Sequence, residues 1–205
     1  MSITINKQSS ILIDEGKKIY FDPYEIEEET NDADFIFITH DHYDHFDPKT
    51  IRRIINRNTV LIIPRPMEEL AVRLTKNYKV VDPDCRYEVS GLRFETTPSY
   101  NIKKRYHPRK KKYVGYNVEI ANKKYFILGD TDCIPEIEGI PCDICFVPIG
   151  GTYTMDVNEA IDYINRLKPK IAIPIHYGSI VGDVSLGEVF KNGVNKNIEV
   201  ELYVK

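Results

Sequence analysis

Apolar positions in this chain fall mostly into short runs with strand character, and only a few stretches repeat at helical spacing. SITIN, SSILIDE and KKIYFDP begin the chain with β-branched and aromatic residues closed by turn formers, which predicts an antiparallel meander. DFIFITH follows as a more buried strand and ends on His40. Asp47-Pro48 predicts a helix start, with Asp as N-cap and Pro at the first helical position, and Ile51, Ile54 and Ile55 supply its apolar face. TVLIIP, PMEELAVRLTK and YKVVD then predict strand, helix and strand. GLRFETTPSY, YVGYNVEIA, KKYFILGD and DICFVPIGG predict a second group of strands. Asp156 and Glu159 have capping-box spacing ahead of a helix that buries Ala160, Ile161, Ile164 and Leu167. KIAIPIHYG predicts the next strand, and IEVELYV closes the chain. Strands first, then strands mixed with helices, repeated in a second half, suggest an α+β protein of two packed sheets with helices outside.

Length and composition narrow the class. At 205 residues the chain suits a single domain spanning 1–205, by the usual allotment of roughly 100–200 residues per domain. Hydrophobic residues at 42% and charged residues at 29% are a globular mix, and no apolar run approaches the ~18 residues that cross a bilayer. Membrane insertion is therefore not expected. The N-terminus lacks the basic then apolar stretch of a secretory signal, so a cytoplasmic location is the default. The four cysteines are too few for a disulfide scaffold. Cys142 and Cys145 form a C-x-x-C pair, but no second pair accompanies it, and structural thiols are the expected reading.

The net charge of −3 conceals segregation: residues 25–34 hold six acids and residues 103–112 hold seven Lys or Arg. Such blocks are usually solvated loops, although the basic one could also attract anions.

Three of the five histidines, His40, His42 and His45, fall within six residues, interleaved with Asp41 and Asp44. On a helix, positions 40 and 42 would diverge, so the cluster makes sense as a strand end running into a loop, where side chains can converge. Imidazole mixed with carboxylate suits zinc, iron or manganese and implies a metal centre. Asp130, after KKYFILG, and His176, after KIAIPI, also stand at strand ends; each alone reads as a turn former, and together with the cluster they become ligand candidates.

His40, His42, Asp44 and His45 match residue for residue the H-x-H-x-D-H motif of the metallo-β-lactamase fold superfamily of hydrolases, which the chain resembles over most of its length. TPSYN, VGYNVEI, GDTD, PIGGTYTMD and PIHYG resemble a small branch of metal-dependent hydrolases related to lactonase-like and phospholipase-like members. The resemblance implies a four-layer αββα sandwich. It implies one or two divalent transition metals, zinc first, with manganese or iron as alternatives. His40 and His42 would bind the first metal, Asp44, His45 and His176 the second, and Asp130 would bridge them. Many relatives complete the first site with a histidine where this chain has Asn101; His107, six residues on, could enter the site, contact substrate or belong to the basic loop. Asn101 could be a weak ligand or a substrate contact.

Such a site would acidify water for hydrolysis, with Asp44 orienting it or accepting its proton. Asp22 and Asp132 are candidates for fixing histidine tautomers, and simple turn roles fit them as well. Gly150-Gly151 could allow close backbone approach, and Tyr153 is a candidate substrate contact; an ordinary turn explains the glycines equally. The expected function is hydrolysis of a small anionic ester, lactone or phosphodiester. The alternatives are a nucleic-acid-processing nuclease of the same fold, supported by the basic run and opposed by the acidic overall balance, and a non-catalytic metal-binding sensor. Substrate choice lies in loops that the motif does not specify.

Overall fold

The opening meander forms as predicted: β1 (Ser2–Ile5), β2 (Ile11–Asp14) and β3 (Lys18–Phe21) pair antiparallel, with Ile3 opposite Ile13 and Ile13 opposite Ile19. These strands come from a computed structural model that describes residues 2–204, in which the chain divides between Asp82 and Pro83 into two compact units.

In the first unit, β4 (Phe35–Phe37), β5 (Val60–Pro64) and β6 (Tyr78–Val81) extend the meander with parallel pairings, giving a six-stranded sheet in sequence order. Every residue of β4 and β5 is buried, whereas β2 alternates, as expected for parallel strands covered on both faces beside a half-covered hairpin. α1 (Pro48–Ile54) crosses from β4 to β5, and the Asp47 side chain caps it by accepting from Lys49 N at 2.9 Å. Ile51 and Ile54 of α1 join Tyr20, Ile36, Ile38, Leu61 and Ile63 in the unit's core. The helix predicted over PMEELAVRLTK is shorter: a 3-10 turn at Arg65–Met67 leads into α2 (Glu68–Val72), after which Leu74 N and Thr75 N both turn back to Ala71 O.

The second unit repeats the plan. β7 (Arg86–Val89), β8 (Leu92–Pro98), β9 (Val114–Ile120) and β10 (Lys123–Ile127) are antiparallel; β11 (Ile144–Pro148), β12 (Ile171–Ile175) and β13 (Glu199–Val200) add parallel pairings to complete seven strands. Strand β7 was not predicted, because its alternating charged residues belong to a sheet edge. The signal for it is Ser90-Gly91, both at positive φ, the two-residue turn of a β7–β8 hairpin. The predicted cap of α3 (Val157–Leu167) is present in full: Asp156 accepts from Asn158 N and Glu159 N, and Glu159 accepts from Asp156 N. α4 (Leu186–Gly193) was also not predicted; its Phe190 packs with Ala160, Tyr163 and Ile164 of α3 into the unit's core. The closing strand is shorter than IEVELYV. Ala172 O accepts from Glu201 N, and the next donor toward β13 would be the N–H that Pro174 lacks.

In each unit the parallel strands end along one edge of that unit's own sheet. Their carboxyl ends are where α/β sheets place ligands, and Asp22, His40, Asp130, Gly150 and His176 all follow such ends.

Candidate functional site

In the first unit, β4 delivers the chain into a tight turn in which His45 N and Phe46 N both donate to His42 O, at 3.0 and 2.8 Å. The turn brings the three imidazoles together: the His40 ring centroid lies 4.7 Å from that of His42 and 4.0 Å from that of His45. Asp44 Oδ2 stands 3.6 Å from His45 Nε2. His40, Asp44 and His45 are buried and His42 is half-buried.

Asp22 organises this turn from the end of β3. At φ 44° it sits in the left-handed region that Asp tolerates, and its carboxylate accepts from Thr39 N and Thr39 Oγ1, both at 2.7 Å, and meets His45 Nδ1 at 2.8 Å. Burial pushes the Asp22 carboxyl above its ordinary value, while His45 and Thr39 oppose that rise. With Thr39 N donating to Oδ1 and the Thr39 hydroxyl to Oδ2, the carboxyl is arranged as an acceptor toward His45 Nδ1, which then carries the proton and leaves Nε2 as the lone-pair atom. The hydroxyl hydrogen of Thr39 is committed to Asp22, so Thr39 Oγ1 accepts from His40 Nδ1 across 2.9 Å. His40 Nε2 is then also a lone-pair atom. Ligand atoms of Asp22, His40 and His45 lie within 4.8 Å of one another.

In the second unit, Asp130 follows β10 and His176 follows β12, and Asp130 Oδ2 lies 3.1 Å from His176 Nε2. His176 has φ 58°, a strained conformation for a non-glycine residue. Gly150, at the end of β11, passes so close that a Cβ there would stand 2.3 Å from His176 O. The expected close approach therefore exists, and it is backbone against backbone. His107 is buried, with Nε2 3.5 Å from the same Asp130 oxygen and Nδ1 3.0 Å from Asn101 Oδ1.

Asn101 is engaged by groups of its own chain. Its Oδ1 also accepts from His107 N at 3.0 Å, and its Nδ2 donates to Asp132 Oδ1 at 3.0 Å and to Tyr153 O at 2.8 Å. Both lone pairs and both hydrogens are thus used within the chain. Asp132 acts one step further from the histidines than expected: it receives Asn101 Nδ2, Ile102 N and Lys104 Nζ. The Tyr153 ring is half-buried and meets exposed Tyr106 edge-on at 4.5 Å.

The basic run is not uniformly solvated. Lys104 pairs with Asp132 and donates to Thr154 O, and Arg109 pairs with Glu136, while Lys103, Arg105, Lys110 and Lys112 face water. The four thiols are free, Cys145 buried and the other three half-buried. Among the described residues no candidate metal group contains a cysteine. Three contributors escaped the sequence reading. Gln8 is buried at the β1–β2 turn with Nε2 3.5 Å from Asp44 Oδ2, Thr39 bridges Asp22 to His40, and Lys104 anchors Asp132. Nothing local marks Gln8 or Thr39, because Asp44 and Asp22, which give them their roles, lie far away in the chain.

The donor chemistry fits a divalent transition metal. Three histidines have Nδ1 occupied by an oxygen and present Nε2, the arrangement in which an outer hydrogen bond fixes the tautomer of a metal-binding imidazole, and their neighbours are carboxylates.

Comparison with known proteins agrees. The profile of the Beta-lactamase superfamily domain matches residues 2–176. A UPF0173 metal-dependent hydrolase of Staphylococcus haemolyticus is 28% identical over 226 residues, 98% of this chain and 96% of that protein. A UPF0173 protein of Pyrococcus abyssi is 32% identical over 178 residues, 84% of this chain and 80% of that protein. The crystal structure of a Parabacteroides distasonis protein assigned to the metal-dependent hydrolases superposes with a TM-score of 0.83 at 29% identity, covering 99% of this chain and 93% of that one. The α+β fold is that of the metallo-β-lactamase type, and the chain belongs to this superfamily, among its UPF0173 metal-dependent hydrolases.

Proposed function

We propose that this hydrolase cleaves a small anionic ester, lactone or phosphodiester, with His40, His42, Asp44 and His45 and, in the second unit, His107, Asp130 and His176 as its metal ligands. The observation that carries the reading is the shared state of His40, His45 and His107, each held at Nδ1 so that Nε2 is the lone-pair atom. One or two divalent ions, zinc in the first instance and manganese or iron as alternatives, would supply a Lewis acid and a water acidified to near neutral pH.

The chain's own residues do the rest. Asp44, whose Oδ2 lies 3.6 Å from His45 Nε2 and 3.5 Å from Gln8 Nε2, would take the proton, with Gln8 limiting its rotation. Lys103 and Arg105, exposed on the loop that His107 closes, would draw an anionic group by long-range attraction. Tyr106 and Tyr153 offer an apolar rim beside them. No helix among the described residues is long and apolar enough to cross a membrane, and a cytoplasmic enzyme remains our reading.

The test is to load the protein with zinc or manganese and assay a chromogenic phosphodiester, an aryl lactone and an aryl ester. His42→Ala and Asp130→Ala are expected to abolish turnover while leaving the protein folded. Failure to retain any transition metal would remove the basis of the reading. Tight, salt-sensitive binding of single-stranded RNA would move the substrate toward nucleic acid.

A further inference from the structure

We propose that Asn101 is a positioning residue that fixes His107 in the Nδ1–H tautomer and holds its Nε2 toward Asp130. The inference about the tautomer stands on the second unit alone; its consequence for metal binding rests on His107 being a ligand, as proposed above.

The amide of Asn101 can point only one way. Its Nδ2 faces two acceptors, the Asp132 carboxylate at 3.0 Å and the Tyr153 carbonyl at 2.8 Å. Asp132 is itself fixed by Ile102 N and Lys104 Nζ, each at 2.8 Å. Reversing the amide would set oxygen against these oxygens and an NH2 against the His107 N–H, leaving several buried groups unsatisfied. Oδ1 therefore faces His107, where it accepts from the backbone N at 3.0 Å and stands 3.0 Å from Nδ1. An oxygen that can only accept requires the proton to be on Nδ1.

The same residue closes the loop. Asn101 N donates to His107 O at 2.8 Å, so backbone and side chain together tie residues 101 and 107 into a ring. Within that ring Lys103, Arg105 and Tyr106 are exposed, while His107 is buried. Asn101 is to His107 what Asp22 is to His45, with a neutral amide in place of a carboxylate.

Long-range proton–nitrogen NMR of the metal-free protein reads the imidazole tautomer directly. Wild type is expected to show His107 protonated at Nδ1, and Asn101→Ala to shift it toward Nε2. Asn101→Asp keeps an acceptor facing Nδ1 but turns a carboxylate toward Asp132 and Tyr153 O, so it should melt at lower temperature and still hold the wild-type tautomer. Zinc competition with a chromophoric chelator should show Asn101→Ala weakened about 10–100-fold and Asn101→Asp within about threefold of wild type. A merely structural role would make affinity follow the melting temperature instead. Asn101→Ala with an unchanged tautomer overturns the proposal. Should that variant fail to fold, Asn101→Asp with His107 protonated at Nε2 overturns it equally. His107→Ala separates the two readings: wild-type zinc affinity there sinks His107 as a ligand, and the metal-free spectra still decide the role of Asn101.

Discussion

Replacing Asp22 by Asn changes one heavy atom and should disable His45, 23 residues further along the chain. In wild type, Asp22 Oδ1 receives Thr39 N, and Oδ2 receives Thr39 Oγ1 and stands 2.8 Å from His45 Nδ1. If the new amide keeps its oxygen on Thr39 N, its NH2 faces His45 Nδ1, which must become an acceptor. The proton then moves to Nε2, the atom offered to the metal. If the amide reverses, its NH2 opposes Thr39 N–H, and a buried unsatisfied donor costs about 1–3 kcal/mol. Either way the fold can survive, because the shape is kept. In the first orientation, loss of an outer partner of this kind weakens metal binding about 10–100-fold, or roughly 1.4–2.8 kcal/mol; in the second the acceptor on His45 Nδ1 is kept and the cost falls on stability. Zinc affinity by chelator competition, paired with thermal unfolding of the metal-free protein, measures both effects. A folded Asp22→Asn protein with both zinc affinity within about twofold of wild type and an unchanged unfolding temperature would refute the tautomer reasoning, since an amide that keeps its oxygen on His45 Nδ1 must instead bury an unsatisfied donor against Thr39 N.

Gly150→Ala should be damaging although it adds only a methyl, because that carbon would stand 2.3 Å from His176 O and 2.7 Å from Val181 Cγ2. We expect about 1–3 kcal/mol of destabilisation by denaturant titration and weaker zinc binding; wild-type stability would show that the β11 end is not packed as described. At the opposite end of that strand, the Lys170 ammonium beside Asp143, with Lys124 N, holds the Asp143 carboxyl below its ordinary 3.8. A depressed folded-state value gives stability that is present above the unfolded value and lost as pH falls through the folded one. Asp143→Asn should thus cost roughly 0.5–1 kcal/mol at neutral pH and nothing below the folded value. Urea midpoints of the two proteins that differ equally at neutral and strongly acid pH would contradict this origin.

The elements that periodicity marked were those whose signals are local. The Asp47-Pro48 start and the Asp156–Glu159 box name their helices within four residues, and both caps are formed. The buried strands β5 and β11 were legible as apolar runs. Strand β7 and helix α4 were not, the first because it is a charged edge and the second because its Gly-flanked sequence lacks a side-chain cap. The length of β13 depended on Pro174 in a different strand.

The functional residues divide along the same line. The H-x-H-x-D-H turn is contiguous, and a strand end that runs into a turn makes its side chains converge, so the sequence by itself identified a metal-binding chemistry and the superfamily. It also singled out Asp130 and His176, because each ends an apolar run. What Asn101 and His107 do was open to several readings from residue types, since an amide can bind a metal, a substrate or another side chain. Only the tertiary structure decided that Asn101 holds His107, that Asp22 and Thr39 set the tautomers of His45 and His40, and that Gly150 underlies His176. Tautomers and close contacts are set by which groups the fold turns toward one another, even between neighbours such as Thr39 and His40, and spacing along a sequence carries no record of which acceptor a buried proton will meet.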